Sequence, residues 1–485
     1  MNDALPLAAE LPFSLVLFGA SGNLAKLKLY PALAALATGG RLPEDFAIIG
    51  YARTDMDDES FRAFVRESLE ASGVNMDEKA MESFLSHVHY QQGDYDKRDG
   101  FDALAKRLDE MEKDWKNPVR MAYLSIPPTA FVHVIENMCM SGVRRGEFRC
   151  IVEKPVGHDL KSFEEIRAAL TRCFGGEKEV FLLDHYLGKE AVRNIYYLRY
   201  ANPVLERLFK NTLIHHVEIA ASETMGIEGR AGYFEAAGTL RDFIQNHILL
   251  MASLLTMELR EKEEGFRESR AAALAEFYLP AATSLDDVVL QGQYGPGMVN
   301  GEPEIGYAEE DGVAEGSRTN TFIALKLRTR HPTFEGVPFY VRTGKRLKRR
   351  ETRITIQFQE HFRVGAGGSP NRLEIILQGE AGMKFHLQTK VGGTEPLFRP
   401  LLIEDPLTVT GDVLSEHGLL LLEAMRGKQQ WFLSFEEVHT AWSLVDPVQA
   451  HLDKKETPLI RYPAGAEIPH EAVEWIAKDG VQWYP

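Results

Sequence analysis

The chain has 485 residues, enough for two or three domains at about 100–200 residues each. Its 44% hydrophobic and 26% charged residues fit a soluble globular protein, and 40 Gly with 23 Pro spread over this length exclude a fibrous or disordered one. A net charge of −16, from 55 basic and 71 acidic residues, argues against nonspecific binding to nucleic acid or membrane.

No run approaches the roughly 18–20 apolar residues of a membrane span. The acidic start, MNDALPLAAE, lacks the basic beginning of a signal peptide, so a cytoplasmic protein is expected. Cys139, Cys150 and Cys173 form neither a disulfide framework nor a zinc-type spacing and read as small buried apolar residues. No metal is expected: no metal motif is present, and His215 and His216, neighbours on an alternating strand, point to opposite faces.

The first third alternates strands and helices. Ser14–Phe18 is a short apolar run, and Leu24–Ala37 follows with helical spacing. Phe46–Gly50, Arg120–Ser125, Phe148–Val152 and Val180–Leu183 continue the series. Short strands separated by helices predict parallel βαβ units, an α/β dinucleotide-binding domain of the Rossmann type over residues 1–184.

Residues 185–485 read as an α+β domain with a large, mainly antiparallel sheet. Leu213–Ala221, Thr321–Arg328, Pro338–Arg342, Thr352–Phe358, Arg372–Gln378 and Met383–Thr389 alternate apolar and polar residues, as half-buried strands do. Gly238–Glu258 has helical character, and the Gly- and acid-rich Gly295–Ser317 reads as a surface loop.

At the first strand–helix junction, Gly19, Ala20, Ser21, Gly22, Asn23 and Leu24 form a glycine-bearing turn. Glycines there let the backbone approach a phosphate, and the helix N-terminus adds free amides and a positive dipole end. After the second strand, NAD-binding domains place an acidic residue on the ribose hydroxyls. Here Arg53 stands near that place, with Thr54 and Asp55 after it, and a guanidinium suits a 2′-phosphate. The cofactor expected is NADP, with NAD use possible through Asp55.

Hydride transfer from an alcohol to a nicotinamide needs a base for the hydroxyl proton, and a histidine held by a carboxylate serves near neutral pH. His185 and His247 are the candidates. On an α-helix Asp242 and His247 would lie about 140° apart, which makes Asp242 a poor orienter and Asp184, from another element, a better one. Gly344–Arg350, GKRLKRR, is the cation cluster that an anionic ligand would require of so acidic a chain. Within it, Lys348 and Arg349 read as solvated charges.

Glu153-Lys154-Pro155 with Gly157, then DHYLGKE (Asp184–Glu190), then RDFIQNH (Arg241–His247), together resemble the glucose-6-phosphate dehydrogenase family. GASGNLA and VPFYVRTGKRL (Val337–Leu347) fall in the family's order around them, so the resemblance covers nearly the whole chain. It implies oxidation of glucose 6-phosphate to 6-phosphogluconolactone with NADP by a homodimer or homotetramer. His247 matches the general base and Asp184 its partner. His185, Tyr186 and Lys189 match the site of the 6-phosphate, where they would supply charge-assisted donors. Glu223, Asp242, Lys345, Arg350 and Gln378 match positions that bind the sugar. Lys154 matches a residue between substrate and nicotinamide, and Pro127 with Pro128 the wall near the nicotinamide. Three positions depart from the pattern: Asn23 for an aspartate, Phe131 for a tyrosine, and Arg350 for a lysine.

Overall fold

The computed structural model describes residues 8–260, 264–360, 369–395, 397–408 and 413–484. The chain divides into two compact units, Met1–Glu190 with Thr410–His439, and Ala191–Val409 with Thr440–Pro485. Sequence patterning gives residues 185–485 wholly to the second domain. The first unit instead extends to Glu190 and takes back a later segment.

In the first unit six strands form one parallel sheet: β1 Phe13–Phe18, β2 Phe46–Ala52, β3 Val88–Gln92, β4 Val119–Leu124, β5 Glu147–Glu153 and β6 Val180–Leu183. Their order is β3-β2-β1-β4-β5-β6. β1, β2 and β4 are buried along their whole length, which explains their unbroken apolar runs. The order reverses between β1 and β4, and in such sheets ligands bind outside the carboxyl ends of the strands at this switch point.

The returning segment packs on this unit by satisfying its backbone. Arg149 Nη1 donates to the carbonyls of Ala424 (2.9 Å) and Met425 (2.5 Å), at the end of the helix Glu416–Met425. Gln429 Nε2 donates to the carbonyls of Glu177 and Val180, each at 2.8 Å. Nothing local in residues 410–439 signals this return, because the bonds connect positions about 250 residues or more apart.

The cysteine reading is corrected. Cys139 and Cys173, on the neighbouring helices Phe131–Ser141 and Leu160–Phe174, form a disulfide with Cα atoms 5.8 Å apart. That separation lies in the range a disulfide requires. Cys150 is buried and free, and burial pushes its thiol pKa up.

The second unit holds β7 Ile214–Ser222, β8 Phe277–Tyr278, β9 Val289–Gly295, β10 Gly297–Val299, β11 Glu302–Glu304 and β12 Phe322–Thr329. It continues with β13 Phe339–Gly344, β14 Glu351–Phe358, β15 Arg372–Gln378, β16 Gly382–Lys390, β17 Phe398–Pro406 and β18 Leu459–Pro463. The large sheet runs β17-β16-β15-β14-β7-β13-β12-β9-β18, with β8 on β12. Most pairs are antiparallel; β13 on β7 and β18 on β9 are parallel. Gly295–Ser317 is more ordered than a plain loop: β10 and β11 pair as a hairpin, and Tyr307 is fully buried. On β7, His215 is exposed and His216 buried, yet their Nδ1 atoms lie 2.8 Å apart, and His216 Nε2 is 3.2 Å from the buried Glu218.

Candidate active site

In the first unit every predicted cofactor residue falls at the carboxyl edge of the parallel sheet. Gly19 follows β1 with φ +84°, and a Cβ there would strike the backbone carbonyl of Ser125, so only glycine fits. Gly22 N donates to Gly19 O at 2.9 Å and closes the turn. Tyr30 Oη donates to Ala20 O at 2.6 Å and ties the turn to the following helix. The helix that begins at Asn23 and Leu24 leaves its first amides without intrahelical acceptors, which is the arrangement a diphosphate uses.

Arg53 follows β2, is exposed, and places its guanidinium 5.9 Å from the centre of the Tyr95 ring. Ser21 Oγ lies 3.0 Å from Thr54 Oγ1, joining the two loops. Tyr90 holds this turn from below by donating to Thr54 O at 2.6 Å, a role that its place in β3 does not announce. Burial raises the Tyr90 pKa to about 12, so the phenol stays a donor. The Gly19 turn, the amides of Asn23 and Leu24, and an exposed guanidinium beside Thr54 fit a dinucleotide carrying an extra phosphate. Pro127 follows β4 and is exposed, whereas Phe131, four residues on, is buried in the core. Asn23 is the first helical residue after this turn.

Lys154 follows β5 and Asp184 follows β6. Asp184 is 1% exposed, and its carboxylate accepts Tyr186 N at 2.9 Å, capping the short helix His185–Gly188. This turn places Lys189 Nζ 3.7 Å from the centre of the Tyr186 ring. Gly188 is required because a Cβ would strike the backbone carbonyl of Glu416. The His185 ring stacks on His417, 6.1 Å between centres and 7° between planes. His417 Nε2 is in turn 3.5 Å from Glu153 Oε1, which also accepts Tyr123 Oη at 2.5 Å. His417 and Tyr123 escape sequence reasoning: neither stands in a motif, and His417 arrives with the returning segment.

In the second unit the predicted sugar ligands gather at one end of the large sheet. The registers Ser222↔Gly344, Ser222↔Glu351 and Thr352↔Gln378 align the ends of β7, β13, β14 and β15. Glu223, Lys345, Arg350 and Gln378 therefore lie together. Glu223 N donates to Gly344 O at 2.9 Å and Leu347 N to Glu223 O at 2.8 Å, which fixes the turn around Lys345. Lys345 is 3% exposed, with Nζ 2.5 Å from Glu223 Oε2 and 3.9 Å from Asp242 Oδ2. With its amide turned to satisfy both neighbours, Gln378 accepts from Arg350 Nε at 2.5 Å and donates to Thr352 Oγ1 at 3.3 Å. Lys348 and Arg349 are exposed and both pair with Glu467, away from any role in this set.

His247 is buried in the segment Leu240–Ile248, and this segment is a π-helix. The 140° argument against Asp242 assumed an α-helix. With i→i+5 bonding each turn takes in more residues than in an α-helix, so Asp242 and His247 lie nearer one face than about 140° implies. Asp242 has partners in the sugar cluster: Tyr233 Oη donates to Asp242 Oδ1 at 3.1 Å, and Lys345 approaches Oδ2. Tyr233, on the preceding helix, is a further residue that no motif marks.

A parallel sheet in the order 3-2-1-4-5-6, a phosphate turn at its switch point and a buried histidine in the partner domain define a nucleotide-dependent dehydrogenase. Residues 16–194 match the glucose-6-phosphate dehydrogenase NAD-binding domain and residues 196–484 the C-terminal domain of the same enzyme. The chain is 33% identical to glucose-6-phosphate 1-dehydrogenase of Bacillus subtilis (strain 168), over 97% of this chain and 98% of that one. It is 35% identical to the glucose-6-phosphate 1-dehydrogenase of Rhizobium meliloti (strain 1021), over 97% of each. A solved structure of glucose-6-phosphate dehydrogenase in complex with its substrate glucose 6-phosphate matches with a TM-score of 0.88 and 31% identity, covering 99% of this chain and all of that one. The chain belongs to the glucose-6-phosphate dehydrogenase family.

Proposed function

We infer that this chain oxidises glucose 6-phosphate to 6-phosphogluconolactone and passes the hydride to NADP, the entry step of oxidative pentose phosphate metabolism. The observation that carries the substrate side is Lys345, a buried ammonium held between the carboxylates of Glu223 and Asp242 at the sheet end. Such a set offers both acceptors and a donor to sugar hydroxyls. His185, Tyr186 and Lys189 bind the 6-phosphate through charge-assisted bonds. Arg350 and Gln378 complete the sugar site.

His247 takes the proton of the C1 hydroxyl as the C1 hydride leaves, so that the C1–O bond becomes the lactone carbonyl. Asp184 orients its imidazole and stabilises the imidazolium. NADP supplies the hydride acceptor. Gly19–Leu24 hold its diphosphate, Arg53 its 2′-phosphate, and Lys154 and Pro127 border its nicotinamide.

Among the described residues no helix is long and apolar enough to cross a membrane. A cytoplasmic homodimer or dimer of dimers is the assembly we favour. β17 supports it: this edge strand exposes Leu401, Leu402 and Ile403 in succession, and an exposed apolar edge is a pairing surface. Light scattering on the purified protein tests that part, with a monomer as the contrary result. The reaction is tested by turnover with glucose 6-phosphate and with glucose, each with NADP and with NAD. Rapid use of glucose 6-phosphate and poor use of glucose is expected; equal use of both sugars contradicts the reading.

A further inference from the structure

Among the described residues, four other than glycine have a left-handed backbone: Asn117, Glu228, Asn300 and Arg346. Asparagine adopts this conformation readily. For glutamate and arginine it is uncommon and marks a place where surrounding contacts hold the chain. Glu228, with φ 48°, and Arg346, with φ 51°, face each other: Glu228 Oε1 lies 3.6 Å from Arg346 Nη2. Both adjoin the sugar cluster, Arg346 directly after Lys345 and Glu228 at the end of the loop that begins at Glu223.

The turn at Arg346 bonds three successive residues onto the chain that leaves β7. Lys345 Nζ lies 2.5 Å from Glu223 Oε2, Arg346 N donates to Met225 O at 3.1 Å, and Leu347 N donates to Glu223 O at 2.8 Å. Gly465 N donates to Arg346 O at 2.7 Å from the other side. Glycine enters this conformation freely, yet the position carries an arginine. Its side chain is 13% exposed and is held at both prongs: Nη1 is 2.8 Å from Glu304 Oε1, at the end of β11, and Nη2 reaches Glu228. Glu228 Oε1 also accepts Gly226 N at 3.3 Å, so the guanidinium spans the β10–β11 hairpin and the Glu223–Glu228 loop. A Cβ on Gly226 would come within 2.8 Å of Arg346 Nε and 2.6 Å of Glu310 Oε1, so the loop packs directly on these side chains.

We propose that Arg346 is a positioning residue: its guanidinium, clamped by Glu304 and Glu228, holds Glu223 and Lys345 in the geometry that binds the sugar hydroxyls. It acts through those two side chains, on the sugar ring and not on the phosphate or the nucleotide. This inference rests on the reading of Glu223 and Lys345 as sugar ligands.

The test is steady-state kinetics of the whole protein with glucose 6-phosphate and NADP, beside thermal melts, on Arg346→Gly, Gly226→Ala and Lys345→Met. Arg346→Gly keeps the backbone turn and removes the guanidinium, whereas Gly226→Ala keeps every charge and displaces it. Each of these two should raise the KM for glucose 6-phosphate about fivefold or more, the coupling usual within one ion-pair network. Their kcat should stay within about twofold of wild type and their KM for NADP should not change, a split that a general loss of structure would not produce. The kcat/KM for free glucose should fall by the same factor, because the effect lies at the ring. A variant that has lost its folded melt leaves the other to decide. A raised KM in Lys345→Met with a wild-type KM in the folded Arg346→Gly or Gly226→Ala overturns the positioning role alone. So does a loss confined to glucose 6-phosphate, or a fall in kcat at constant KM. An unchanged KM in Lys345→Met overturns the sugar reading and the proposal with it.

Discussion

Tyr233 donates its phenol proton to Asp242 Oδ1 at 3.1 Å, across the helix break at Gly238. Desolvation and the adjacent carboxylate push the phenol pKa up, so the hydroxyl remains a donor at any working pH. Tyr233→Phe removes one hydrogen bond to a charged acceptor, worth about 1.5–3 kcal/mol in general. The KM for glucose 6-phosphate should rise about tenfold, with kcat and the KM for NADP little changed. A fall in kcat at constant KM would place Tyr233 in the chemical step instead.

Lys189 lies over the Tyr186 ring at the end of the turn capped by Asp184. Lys189→Ala should weaken glucose 6-phosphate by roughly 1.5–3 kcal/mol, about tenfold or more in KM. NADP should bind as before. Free glucose has no phosphate to lose, so its poor turnover should not change. Equal losses for glucose and its 6-phosphate would exclude a phosphate role for Lys189.

Arg53 is exposed beside Thr54 after β2, where the adenosine ribose is expected. Arg53→Ala should weaken NADP by about tenfold or more and NAD much less, with the rate at saturating cofactor preserved. Steady-state kinetics with both nucleotides measure the preference ratio. Equal weakening of both would assign Arg53 to the shared adenine or to the fold.

The parts of the site that reside in contiguous motifs are legible in the sequence, because each motif forms one turn. GASGNLA becomes the turn after β1, and DHYLGKE the capped turn after β6. The sheet-end cluster is legible only in part. Lys345 and Glu223 are 122 residues apart and meet through the parallel pairing of β7 and β13, which alternation alone does not specify. The π-helix at Leu240–Ile248 is hidden for a related reason: the same apolar spacing serves either helix, and one changed bonding step moves His247 relative to Asp242. The stack of His417 on His185 and the Cys139–Cys173 bond depend on long-range packing, which leaves no local mark.

Asp58 ties three elements of the first unit together. Its carboxylate accepts Tyr90 N at 2.7 Å and Arg107 Nη2 at 2.5 Å. Burial acts to raise its pKa, but these bonds and the Arg107 charge outweigh it and hold the group below its ordinary value. A depressed carboxylate contributes stability that is complete above its unfolded pKa, about 3.9, and lost as pH falls through the folded value. Asp58→Asn should therefore destabilise the protein by roughly 1–2 kcal/mol at neutral pH. The gap should stay constant down to about pH 5 and narrow only below about pH 4. Urea unfolding across that range measures it, and a gap that closes between pH 7 and 5 would implicate another group.

The assignment of His247 as the base is tested most directly by single-turnover formation of reduced nicotinamide in His247→Asn, with binding of glucose 6-phosphate and NADP measured on the same protein. Both ligands should bind within a few-fold of wild type, while the chemical step slows by about 10²–10⁴-fold, the usual worth of general-base catalysis. Hydride transfer at a near wild-type rate in His247→Asn, with both ligands bound, would contradict the assignment and move the base to His185.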